Sequence, residues 1–148
     1  MTTLHTEIVI DAPVEKVWEL LWDDKSYREW TKYFSPGSNY KSDWQVGGKT
    51  FFLDESQENG MVSTIEELEE PVRVIFKHLG MLENGKEIMF SKELSVWTGS
   101  LEKYFLEPLG DKTKLSCDVQ TSNEYEKEHQ EGFEKGFNWI KQAAEKGN

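Results

Sequence analysis

The sequence predicts an α+β fold, with a curved antiparallel sheet wrapped around one long C-terminal helix. Three observations carry this. Segments of β-type alternation, punctuated by Gly, Pro and Asn, fill the middle of the chain. Two short stretches of helical periodicity follow the first strand. One apolar stripe at helical spacing occupies the chain from residue 122 onward. Helices segregated to one face of an antiparallel sheet define the α+β class. A twisted sheet must curl or be covered, and the last helix alone is long enough to cover it.

Residues 4–10 end in Ile-Val-Ile and read as a strand. Asp11 is placed to cap the next helix, with Pro13 in its first turn. Val14, Val17, Trp18 and Leu21 recur at helical spacing over 13–21. Asp23 or Asp24 caps a second short helix, which carries Tyr27 and Trp30 and runs to about Thr31. Strands follow at 49–55, 61–68, 72–79, 96–107 and 113–121. Asn59-Gly60 is a hairpin turn signal, because both residue types tolerate positive φ. Residues 80–95 contain a second pair of this kind, Asn84-Gly85, but no clear period, and 108–112 reads as a turn.

Within 72–79, Val72, Val74, Phe76 and His78 share one face by the period of two. Leu115, Cys117 and Val119 share a face in the same way. Around residue 102 apolar residues fall on both parities, so Glu102 and Tyr104 face either inward or outward. In the terminal helix, expected over 122–145, Tyr125, His129, Phe133, Phe137, Ile140 and Ala144 form the stripe. Gly132 and Gly136 lie beside it, each costing about 1 kcal/mol of helix propensity relative to Ala. Close approach of the sheet or of a ligand would account for them.

The chain has 148 residues, which fits one domain over 1–148. Its net charge of −11 argues against nucleic-acid and anionic-membrane partners, which need a basic surface. One cysteine excludes an internal disulfide, and nothing at the N-terminus resembles a signal peptide. No stretch approaches the length of a membrane span. A cytoplasmic location is the expectation.

No catalytic or cofactor motif survives inspection. Gly48-Lys49-Thr50 mimics the end of a phosphate loop, but Asp43 stands where the first glycine belongs and a strand follows in place of a helix. No nucleophile elbow or dinucleotide fingerprint occurs. His5, His78 and His129 are far apart in sequence, and with a single Cys no metal site is expected. Cys117, on an apolar strand face, reads as a buried, inert thiol. His78 reads equally as a core histidine or a polar anchor in an apolar pocket, and His129 as core.

Several segments, in order, resemble a known superfamily. Asp11-Ala12-Pro13 through Val17-Trp18 is similar to the opening of START-related, birch-pollen-allergen-like (SRPBCC) domains. Trp44-Gln45-Val46-Gly47-Gly48, Gly60-Met61-Val62 and Glu69-Glu70-Pro71 with Arg73 and Phe76 resemble the heat-shock-protein-90 ATPase activator homologue branch. His78-Leu79-Gly80, Trp97-Thr98-Gly99 with Glu102 and Tyr104, then Tyr125 and the helix from Phe133 to Ile140, extend the likeness over nearly the whole chain.

The resemblance implies the helix-grip fold, with a cavity between sheet and long helix. It implies no single activity: relatives bind lipids, hormones or polyketides, cyclise polyketides, or stimulate the chaperone ATPase. The separate N-terminal domain of eukaryotic activators has no counterpart in these residues. The expected function is therefore a binding module for a small hydrophobic or aromatic molecule, without a cofactor. A co-chaperone-like module with a chaperone partner stands second, and a polyketide cyclase or related enzyme third. The expected pocket is bounded by Trp30, Trp44, His78, Trp97, Tyr104, Phe133 and Phe137. His78 looks at the long helix, and Phe133 and Phe137 look back from it one turn apart. Trp30 closes the short helix pair, while Trp44 and Trp97, each just before a glycine, rim the entrance.

Overall fold

The computed structural model describes residues 2–90 and 99–146. β1 (Thr2–Ile10) is followed by α1 (Val14–Trp22) and α2 (Asp24–Thr31). Then come β2 (Asn39–Ser42), β3 (Thr50–Leu53), β4 (Gly60–Glu69), β5 (Arg73–Glu83), β6 (Lys86–Met89), β7 (Leu101–Leu109) and β8 (Lys112–Thr121). A single 3-10 turn, Asn123–Tyr125, leads into α3 (Glu126–Lys146). The strands form one antiparallel sheet in the order β1-β8-β7-β5-β4-β3-β2, with β6 paired to the end of β5. This is the helix-grip α+β arrangement expected from the sequence.

The sheet curves where β4 and β5 bulge. Leu79 is an extra residue of β5 opposite Val62 and Ser63, and Glu66 is an extra residue of β4 between Ile65 and Glu67. Extra residues of this kind bend a strand and increase its twist. On the concave side the core joins Val17 and Leu21 of α1, Trp30 of α2, Val74 and Phe76 of β5, Leu115 of β8, and Phe137 and Ile140 of α3. Burying one such aliphatic or Phe side chain stabilises by about 1.5–3 kcal/mol.

The ends of α1 differ from expectation. Pro13, in extended conformation, holds the N-cap position. Before it the chain turns: Ala12 is buried and its amide donates to Ile10 O, while the Asp11 amide donates to Glu145 Oε2 of α3. At the other end, two carbonyls left unpaired by helix geometry find side-chain donors. Trp30 Nε1 donates to Leu21 O at 3.0 Å, and the Tyr40 hydroxyl donates to Trp22 O. These bonds fix the α1–α2 corner against β2.

The two Asn-Gly pairs behave differently. Asn59-Gly60 is not the β3–β4 turn. The loop spans residues 54–59, because the Asp54 carboxylate accepts hydrogen bonds from the amide and hydroxyl of Ser56 and starts the turn early. Asn84-Gly85 is the tight turn instead, with φ of 51 and 79, and it joins β5 to β6. At 108–112 the connection shortens to residues 110 and 111, since Pro108 and Leu109 still pair with β8.

Gly132 and Gly136 pack against α2 and the residues just after it. A Cβ at Gly136 would meet Trp30 O at 2.6 Å, and one at Gly132 would meet the Phe34 ring at 2.6 Å. The close approach is that of α2 and the residues just after it, so these glycines set how tightly two helices pack.

Candidate functional site

The site arises from strand register. On β5, Val74, Phe76 and His78 are buried, as their shared parity requires. β7 pairs with β5 so that Glu102 lies opposite Phe76 and Tyr104 opposite Val74. His78 is therefore the diagonal neighbour of Glu102, within reach of a long side chain. Tyr104 lies two residues beyond Glu102 on the same face, which settles the open question of that strand: Glu102, Tyr104 and Leu106 point inward.

These contacts form a chain of polar groups inside an aromatic shell. Ser63 Oγ and His78 Nδ1 share a hydrogen bond of 2.6 Å, both residues being buried. His78 Nε2 lies 3.5 Å from Glu102 Oε1. The Tyr104 hydroxyl donates to Glu102 Oε2. Across the cavity, His129 Nδ1 shares a 2.7 Å hydrogen bond with Thr121 Oγ1. Ser63 has no exposed surface, so it orients His78 and is not placed to attack a substrate.

Burial by itself would raise the Glu102 carboxyl above its ordinary range. His78, the Tyr104 hydroxyl and the charge of His129 outweigh that cost and hold it below. Burial, then the Glu102 charge, pushes the Tyr27 and Tyr104 phenols well up, and the Cys117 thiol likewise. Cys117 is thus a buried, protonated thiol. Burial lowers His129.

Two cavities adjoin this cluster. The smaller, about 220 Å³, is walled by α2 and the segment after it (Tyr27, Trp30, Thr31, Phe34), by Glu102 and Tyr104 of β7, and by His129 and Phe133 of α3. The larger, about 440 Å³, is bordered by His78, Met61, Met81, Phe90, Gln120 and Tyr125. Phe52, Glu102, Val119 and His129 line both. Among the described residues Glu102 is the one acidic residue in either lining, and its side chain is 16% exposed.

Of the residues expected to bound a pocket, Trp30, Tyr104 and Phe133 line the smaller cavity and His78 the larger. Phe137 lies beneath them, 1% exposed and packed on Trp30 and Phe133. Trp44 joins Trp18, Trp22, Tyr40 and Phe76 in an aromatic cluster and borders neither cavity. Trp97 lies outside the described residues. The sequence reading did not single out Tyr27, Phe34 or Phe52 as lining. Tyr27 was legible as a helix-face residue three before Trp30. Phe34 follows the helix end, where periodicity gives no direction.

Among the described residues no cluster of His, Cys, Asp and Glu is arranged to hold a metal ion. Nor is any described helix long and apolar enough to cross a membrane.

Solved structures share this architecture at low sequence identity. The Aha1 dimer from Colwellia psychrerythraea is 18% identical, with 98% of this chain and 97% of that one covered and a TM-score of 0.71. A structural-genomics protein from Mesorhizobium loti is 14% identical over 99% of both chains, with a TM-score of 0.73. CalU16 from Micromonospora echinospora is 21% identical over 95% of this chain and 73% of its own, with a TM-score of 0.64. No curated protein matches the chain. The family model described as "Activator of Hsp90 ATPase homolog 1-like protein" matches residues 11–143, and the chain belongs to that family.

Proposed function

We propose that the chain is a binding module for a small hydrophobic or aromatic molecule, working in the cytoplasm. One observation carries the reading: aromatic side chains from α2, β7 and α3 line a half-open cavity whose one carboxylate among the described residues is Glu102. Apolar walls with few, fixed polar groups are the usual composition of a small-molecule site. The walls supply affinity, and Glu102, steadied by His78 and Tyr104, supplies orientation. Native mass spectrometry of protein purified from its own cells tests this. A stoichiometric small molecule that leaves on denaturation is expected. Protein that is ligand-free and also fails to take up a neutral dye such as Nile red would refute it.

A second reading, a protein-interaction module of co-chaperone type, is favoured by the family and by one surface feature. Met81, Ile88 and Met89, on the β5–β6 hairpin, are each about half exposed. Stimulation of a heat-shock chaperone ATPase by the purified chain, lost in Ile88→Asp, would support it over the first.

A further inference from the structure

We infer that the molecule bound in the smaller cavity carries a protonated amine, seated between the Glu102 carboxylate and the Tyr27 hydroxyl. This rests on the binding-module reading above.

The donors and acceptors of the cavity lead to this class. An ionised carboxylate only accepts hydrogen bonds. Glu102 Oε2 has its donor in the Tyr104 hydroxyl, but Oε1 has only His78 Nε2 at 3.5 Å, beyond ordinary hydrogen-bond length. That oxygen therefore holds its His78 partner at a distance that leaves room for a second, closer donor. Tyr27 supplies the second observation. It is 6% exposed and lines the same cavity, and no described residue is hydrogen-bonded to its hydroxyl, which leaves that oxygen open to a ligand. An ammonium carries three donors and meets both needs at once.

Charge and shape agree. No Lys or Arg lines either cavity among the described residues, and burial disfavours the charge of His129, so an acidic ligand would meet no permanent cation. Trp30, Phe34 and Phe133 present rings to the same space, and aromatic faces attract cations when water is excluded. The net charge of −11 draws cations towards the molecule. A neutral alcohol would satisfy Oε1 but would gain neither the charge pairing nor the ring faces.

The test compares two probes of equal shape, 2-naphthylmethylamine and 2-naphthylmethanol, by calorimetric titration of the full chain at neutral pH. The amine is expected to bind at least ~10-fold more tightly, the scale of a desolvated cation–π and ion-pair contact. Glu102→Gln should abolish that preference by weakening the amine while leaving the alcohol unchanged. Tyr27→Phe removes an unpartnered hydroxyl at constant shape, and it should narrow the preference even where Glu102→Gln does not fold. Equal binding of both probes, or tighter binding of the alcohol, overturns the amine assignment and leaves the cavity reading standing. Binding of neither probe overturns both. A preference that survives in both variants overturns the seat at Glu102 and Tyr27.

Discussion

The carbonyl oxygen of Trp30 rests directly on Gly136, where an added Cβ would stand 2.6 Å away. The obstacle is backbone, so no side-chain rotation relieves it. Gly136→Ala gains about 1 kcal/mol of helix propensity, but overpacking typically costs ~1–3 kcal/mol. A net loss is expected, read as a lower urea midpoint at unchanged slope. A raised midpoint would show that α2 and α3 separate without penalty.

Gly132→Ala should behave differently. Its methyl would meet the Phe34 ring, a half-buried side chain lining the smaller cavity. The ring can turn away, and it would turn into or out of the cavity. The expected result is a stability change under about 1 kcal/mol with a clear change in Nile red affinity. Unchanged affinity would place Phe34 outside the functional cavity.

Phe137→Ala separates core from site. Phe137 is 1% exposed and borders neither cavity. Truncation should cost about 3–5 kcal/mol and, because Phe137 reaches the cavity only through the walls Trp30 and Phe133, weaken naphthylmethylamine, measured well below the melting temperature, less than Phe133→Ala does. A weakened ligand with little lost stability would reassign the ring to the site.

Acid should destabilise the protein in two stages. His129 is lowered from 6.5 by burial, so the unfolded chain takes up a proton first as pH falls below 6.5. Glu102 is lowered from 4.5: its contribution is complete above 4.5 and is lost as pH falls through its folded value. Glu7 is also lowered, through its bonds to His5 and Lys114, but its half-exposed side chain is screened and adds little. Melting temperature followed from pH 7 to 3 should therefore drop in both windows, and Glu102→Gln should flatten the lower one. An identical acid limb in the variant would assign the loss to other carboxylates.

Much of the architecture was legible because periodicity is local. The stripe of α3 gave Phe133, Phe137 and Ile140, and the alternation of β5 gave the inward face of His78. Glu102 was ambiguous for a physical reason. Leu101 and Phe105 are only partly exposed on the outer face, so β7 shows apolar residues on both parities. Its direction is fixed by pairing with β5 and β8, which no single segment encodes. The two helix glycines were visible as anomalies, but their partner was not, since the contact joins residues about a hundred apart. Asn59-Gly60 misled because Asp54, five residues earlier, captured the turn with its own side chain.

β1 takes its ladder from β8 alone among the described residues, with Thr2 opposite Thr121 and Ile10 opposite Thr113. β1 is thus synthesised more than a hundred residues before its partner. Hairpins such as β3–β4 and β5–β6 close locally and early, whereas this closure joins distant segments and is intrinsically slow. While it waits, β1 is an extended segment with its edge unpaired, the kind of surface that invites aggregation during synthesis. The α3 lysine Lys141, which donates to Val9 O, belongs to the same late step. The stretch between β1 and residue 112 is therefore the interval in which a nascent copy is exposed to misassembly, and formation of the β1–β8–α3 corner ends it.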